Sequence, residues 1–430
     1  MRDRHTWHDQ CALAGAALLV AALSIAFAWT LRYAPDESSH RAVLEHYVHH
    51  LGWMTRDEWQ YGALRGHGYN LFSPVPYLPY LPFALIADHV SVLGIATHRL
   101  FVLRLGGLLV ALLQLLATIA FVRRMCRDCR RVEVIAVALA ANLVPQLRYI
   151  HAYVNADAVT ILTATIAFAL LLRIVQRDHV TLGDAALVGL TVGVAAHGRY
   201  NGFLVAGLLL VVYVVRVLRS SPSLRSKLRL VGVAIALPVL LAGVFHLHVY
   251  NELQNRHILA TADNEQLAES TFQGRLRVAP PTLSLLKKRV HQAPNVWMSS
   301  WASMAKAPGP NYADLRGLWL WLLFLASAVG VVGLVVNAGA LLSRSGRFVG
   351  LAAVGVVLVT WALGASQRLS GLPGRFLLTA GIPALAAAIL GGADLLRGLP
   401  RVKRPVLVAA GSWSLILLAI NIWAIAHVAA

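Results

Sequence analysis

The sequence predicts an all-α polytopic membrane protein with about eleven transmembrane helices, within a range of ten to thirteen, and three observations carry that expectation. Of 430 residues, 58% are hydrophobic and only 13% charged, about half the charged fraction of a soluble domain. Apolar runs of the roughly 17–25 residues needed to cross a bilayer recur along the whole chain. The 38 Lys and Arg outnumber 19 Asp and Glu, a formal charge of +19, and the surplus collects in short segments between the runs, as loops on the cytoplasmic side require. This apolar content excludes a disordered chain and a soluble nucleic-acid binder, so no nucleic-acid partner is expected.

In chain order the spans are expected at residues 11–31, 101–122, 132–147, 158–175, 185–196, 203–217, 230–250, 318–342, 348–364, 376–396 and 406–428. The first follows Arg2 and Arg4 and contains Ala26-Phe27-Ala28, a triplet of signal-peptidase type. Its apolar core is longer than the ~7–15 residues of a signal h-region, so an uncleaved helix is expected. Residues 185–196 and 203–217 flank His197-Gly198-Arg199-Tyr200-Asn201 and are short for a full crossing. Residues 77–93 contain Pro79 and Pro82 and end near Asp88-His89, which favours a re-entrant or interfacial segment over a twelfth span.

An inner N-terminus places 20 of the 38 basic residues in short inner segments, including Arg123, Arg124, Arg127, Arg130 and Arg131 between the second and third spans. The expected location is therefore a cytoplasmic membrane crossed many times, with an outer C-terminus. Cys11, Cys126 and Cys129 all fall on the inner side. Cys126-x-x-Cys129 lacks the second ligand pair that a zinc site of about four ligands needs, so free thiols are expected.

The unusual polar residues then share the outer side. Residues 33–98 open with Pro35-Asp36-Glu37-Ser38-Ser39-His40 and carry His46, His49, His50 and Arg65; the next outer loop holds Arg148, His151, Tyr153, Asn155 and Asp157. Arg199 lies in the pentapeptide, Trp297, Trp301 and Lys306 in the long segment 251–316, and Arg375 after Pro373-Gly374 at the start of a late span. Each cluster has a plainer reading. Asp36 and Glu37 could be favourable first-turn acids of an amphipathic helix over 38–51, and Asn155 or Asp157 a helix N-cap. Arg199 and Arg375 could snorkel to the interface, yet both adjoin apolar helix, where a charge needs water, a carboxylate or a lipid phosphate. The inner loops show no Walker-type glycine loop and no Asp-x-Asp.

Taken in order, Pro35-Asp36-Glu37-x-x-His40, Tyr153-Val154-Asn155-Ala156-Asp157-Ala158 and Gly374-Arg375-Phe376-Leu377-Leu378 before Pro383 resemble a large group of uncharacterised bacterial polytopic membrane proteins with PDExxH, Asn-x-Asp-Ala and QGRY-like motifs. Through the acidic pair after the first span, the chain also resembles the GT-C superfamily of membrane glycosyltransferases. It departs at Leu372-Pro373, where Gln is usual, and at Phe376 in place of Tyr.

The resemblance implies a GT-C-like fold and transfer of a sugar from a polyprenyl-phosphate donor to a glycan, lipid or protein acceptor on the outer face. Asp36 would be the general base, with Glu37 orienting it. Arg199 and Arg375 would stabilise the departing lipid phosphate, with Arg148, Lys306 and Arg65 in reserve. His40, Tyr153, Asn155, Asp157 and Trp297 would serve the acceptor or the sugar. No cofactor is certain; a divalent cation, if used, would fall to Glu37, His40 and Asp157. Residues 1–250, with the outer loop 33–98, would form the catalytic membrane module, 251–316 an outer recognition loop, and 317–430 the C-terminal helices. A transporter or lipid-linked-sugar flippase, and a non-catalytic envelope-assembly subunit, are the alternatives. The absence of an internal repeat and the one-sided polar clusters disfavour the transporter.

Overall fold

The computed structural model describes residues 2–31, 34, 37–50, 53, 73–92, 99–198, 200–220, 223–248, 282–289, 318–336, 341–366 and 377–429, and among them all regular structure is helical. The chain is an all-α, multi-pass membrane protein. It runs through α1 (Arg2–Thr30), α2 (Glu37–His49), α3 (Leu81–Val92), α4 (Arg99–Met125), α5 (Arg131–Asn142), α6 (Pro145–His151), α7 (Ala156–Gln176) and α8 (Leu182–Ala196). It continues with α9 (Tyr200–Ser220), α10 (Leu224–Pro238), α11 (Leu283–Arg289), α12 (Leu318–Val336), α13 (Arg344–Ser366), α14 (Leu378–Leu396) and α15 (Pro405–Ala429).

Eight described helices are long and apolar enough to cross a membrane, or up to nine if the bent pair α5–α6 is one span. Helix α8 and the segment Leu325–Val336 of α12 are apolar but shorter. These helices fall on the eleven apolar stretches read from the sequence. Residues 81–92 form a helix of 12 residues, about 18 Å long at ~1.5 Å per residue and too short to span the ~30 Å hydrocarbon core.

The uninterrupted helix expected over 132–147 is instead broken: α5 and α6 meet at 76°. Pro145 at the start of α6 cannot continue the hydrogen-bond ladder of α5. A break among apolar helices leaves carbonyls that must find donors. Asn421 of α15 donates from Nδ2 to the Leu143 carbonyl at 2.7 Å, and Asn142 donates to the Ala138 carbonyl at 2.8 Å and Thr118 Oγ1 at 3.0 Å. Pro238 likewise ends the regular ladder of α10, which passes through a π turn at Val239–Gly243.

Helices α7 and α14 are buried almost all round by small and branched side chains and form the centre of the bundle. Close approach depends on glycine. A Cβ on Gly333 of α12 would overlap the Gly391 carbonyl of α14, and one on Gly391 would overlap the Gly330 carbonyl, the small-residue packing that lets apolar helices associate. Gly333→Ala is expected to cost about 1–3 kcal/mol through overpacking. Gly355→Ala, where a Cβ meets nothing within 4 Å, should be neutral or slightly stabilising. Thermal unfolding of both variants in detergent checks the contrast.

Two faces are distinguished by their cross-links. On the basic face, Thr181 caps α8 in a reciprocal box with Asp184, which pairs with Arg173 at 2.8 Å and Arg177 at 2.9 Å. Gln176 donates to the Arg124 carbonyl at 2.7 Å, and Ser343 N–H to the Met125 carbonyl at 3.2 Å. The turn between α4 and α5 also corrects the expectation of free thiols: it brings the Cα atoms of Cys126 and Cys129 to 5.5 Å, and the two are disulfide-bonded, while Cys11 is free. That spacing is ordinary for a disulfide.

Candidate functional site

The opposite face is organised around one arginine. Helix α1 ends near Leu31, leaving terminal carbonyls without partners inside the helix. Arg104, in the second turn of α4, fills them: its Nη1 donates to the carbonyls of Ala28 at 2.8 Å and Leu31 at 2.7 Å. The rest of the guanidinium grips Glu37, the first residue of α2, with Nε to Oε1 at 2.9 Å and Nη2 to Oε2 at 2.6 Å. Arg104 is 3% exposed and Glu37 6%. A charge buried at this depth persists only when paired and fully hydrogen-bonded, and the two-point fork satisfies both conditions.

Glu37 Oε1 also accepts from Val154 N–H at 3.4 Å. Glu37 and the Tyr-Val-Asn-Ala-Asp segment, 117 residues apart, therefore meet. Tyr80, fully buried, reinforces the junction: its hydroxyl donates to the Asn155 carbonyl at 3.2 Å and accepts from Asn155 N–H at 3.4 Å. Gly106 makes room for it, because a Cβ there would overlap the Tyr80 ring and Cα.

Asn155 is the N-cap of α7, accepting from Asp157 N–H at 2.8 Å and donating to the Tyr153 hydroxyl at 2.6 Å. The plainer reading of Asn155 is thus realised, and it aims the first turn of α7, with the buried Asp157, at the same junction. His40 joins through Nδ1 and the Tyr77 hydroxyl at 2.7 Å.

A second junction lies beside it. His197 closes α8 and donates from Nε2 to the Leu241 carbonyl at 2.8 Å, inside the π turn of α10. Burial lowers its pKa below the ordinary imidazole value, and in the neutral ring Nδ1 then accepts from the Ser73 hydroxyl at 2.7 Å. Phe245, His248 and Trp53 extend this cluster, with Trp53 5.9 Å from Phe245 and 5.1 Å from His248 between ring centroids.

Among the residues singled out from sequence, Glu37, His40, Tyr153, Asn155 and Asp157 gather around the first junction. Arg148 is fully buried on α6 and donates to Ser24 Oγ at 3.4 Å and His151 Nδ1 at 3.1 Å, enclosed by α1 and its own helix. Asp36, Arg199, Arg375, Lys306, Arg65, Trp297 and Trp301 lie outside the described residues. Sequence reading missed Arg104 and the positioning by Tyr80. An ionisable side chain inside an apolar run was the available signal for Arg104, since such residues mark functional sites by default.

The suggestion that Glu37, His40 and Asp157 hold a divalent cation does not fit. Both Glu37 oxygens already face a guanidinium, whose charge repels a metal ion. Among the described residues, no group of three or more His, Cys, Asp or Glu side chains is placed to hold one.

No family model and no curated protein matches the chain. Among solved structures, the chain is similar to the archaeal oligosaccharyltransferase AglB from Archaeoglobus fulgidus, solved in complex with an inhibitory peptide and a dolichol-phosphate. The two share 14% identity with a TM-score of 0.49, and the match covers 99% of this chain. This chain spans 56% of that chain's length. At that identity and score, the likeness transfers no residue and no reaction.

Proposed function

We propose that the protein transfers a sugar from a polyprenyl-phosphate donor to an envelope glycan, lipid or protein acceptor at the outer face of the cytoplasmic membrane. Asp36 is the general base, removing the acceptor's proton as its oxygen attacks the anomeric carbon. The bond from that carbon to the phosphate oxygen breaks, and Arg199 and Arg375 stabilise the departing polyprenyl phosphate, a task suited to guanidinium forks. Lys306 is the further phosphate partner, while Arg148, enclosed as it is, supports the α6 turn that carries Tyr153. Glu37 orients the base, and His40, Asp157, Tyr153 and Trp297 line the acceptor or sugar side. Residues 251–316 serve recognition, and membrane lipids surround the apolar helices.

One observation carries this reading. The buried Glu37–Arg104 pair and its contact with Val154 set Glu37 beside the Asn155–Asp157 turn, on the face opposite the basic loops. It brings two of the motifs read from sequence, through Glu37 and through Asn155 and Asp157, to one place.

The test compares envelope glycans and glycolipids from cells with and without the protein. Loss of one glycosylated species, together with accumulation of its polyprenyl-phosphate sugar, is the expected result. An unchanged glycan and lipid profile would count against the reading.

A further inference from the structure

We propose that Arg104 is a positioning residue for the Glu37 carboxylate, which it holds against the start of α7. The inference rests on the transfer reading above for its catalytic readout, and the experiment keeps the two apart.

Arg104 makes four directed hydrogen bonds, two to Glu37 and two to the carbonyls that end α1. It touches both helices on either side of residues 32–36, one through backbone and the other through the first side chain of α2. The connection is short, and consecutive Cα atoms are ~3.8 Å apart. A single rigid guanidinium thus joins the end of α1 at Leu31 to the Glu37 carboxylate at the start of α2.

Glu37 is in turn held against Val154 N–H at 3.4 Å, so the same arginine sets Glu37 relative to the start of α7. A lysine could supply the charge but not the planar fork, and its three N–H donors fall one short of the four hydrogen bonds that Arg104 makes. Arg104 also stands apart from the phosphate-binding arginines, because four of its five N–H donors are committed to Glu37 and α1.

The experiment measures per-molecule kinetics of the purified full-length R104K variant with a polyprenyl-phosphate sugar. A positioning role predicts a kcat lowered on the order of 10²-fold, the scale of a misplaced catalytic group, with donor KM within about threefold of wild type. Wild-type kcat in R104K molecules that fold would overturn the proposal, since a structural role lowers only the yield.

A second readout needs no activity. Spin labels at Ser38→Cys on α2 and Ile166→Cys on α7, both exposed positions, are placed in a Cys11→Ser background, Cys11 being the exposed free cysteine. Their distance distribution should be narrow with Arg104 and broad in R104K; an unchanged distribution would overturn the proposal. If the wild type transfers no sugar yet R104K broadens the distribution, the transfer reading fails and Arg104 stands as the anchor of this segment.

Discussion

Replacing Asp36 by asparagine is expected to lower sugar transfer by roughly 10²–10⁴-fold, the usual contribution of a positioned general base, while leaving membrane insertion and abundance as in wild type. Asparagine keeps the shape of the side chain and its capacity to accept a hydrogen bond. It cannot take up the acceptor's proton at neutral pH. Asp36 follows the first span and precedes a helix whose anchoring falls to Glu37 and Arg104, so the fold should not depend on its charge. Transfer by equal amounts of purified wild-type and D36N protein measures the effect. Full activity in D36N would remove Asp36 as the base.

The second large effect concerns stability. Glu37→Leu leaves Arg104, 3% exposed, with only two carbonyls and no counter-charge; breaking a buried ion pair in this way costs about 3–5 kcal/mol. The paired replacement of Glu37 by Leu and Arg104 by Met removes both charges and should recover most of that loss, because apolar replacements of a buried pair are often neutral. It should not recover transfer. Thermal unfolding in detergent separates these outcomes, and a Glu37→Leu variant that melts with the wild type would contradict the geometry.

The membrane architecture was legible because apolar length and basic loops are local properties of the chain. Its interruptions were not. The run over residues 132–147 reads as one helix until Pro145 is weighed against the Asn421 that satisfies the broken backbone from 278 residues away. The glycines that allow α12 and α14 to touch likewise depend on which helices become neighbours.

At the site, the motif pattern of Glu37, His40, Tyr153, Asn155 and Asp157 was visible from residue type and shared side. What held them together was not. Arg104 looked like one polar residue in an apolar helix, and its partner lies 67 residues earlier. The cation reading of Glu37 failed for the same reason, since a carboxylate is available to a metal only if no guanidinium has claimed it. The disulfide between Cys126 and Cys129 followed from the tight turn joining α4 to α5, which residue spacing alone left open.

Reconstitution decides most directly between chemistry and transport. Proteoliposomes holding the purified protein are supplied with a polyprenyl-phosphate sugar labelled in the sugar and with a membrane extract as acceptor source. Transfer predicts a new labelled glycoside and one free polyprenyl phosphate for each sugar moved, with both lost in D36N. Label that crosses the bilayer still attached to its lipid, with no glycosidic product, would contradict transfer and establish a carrier.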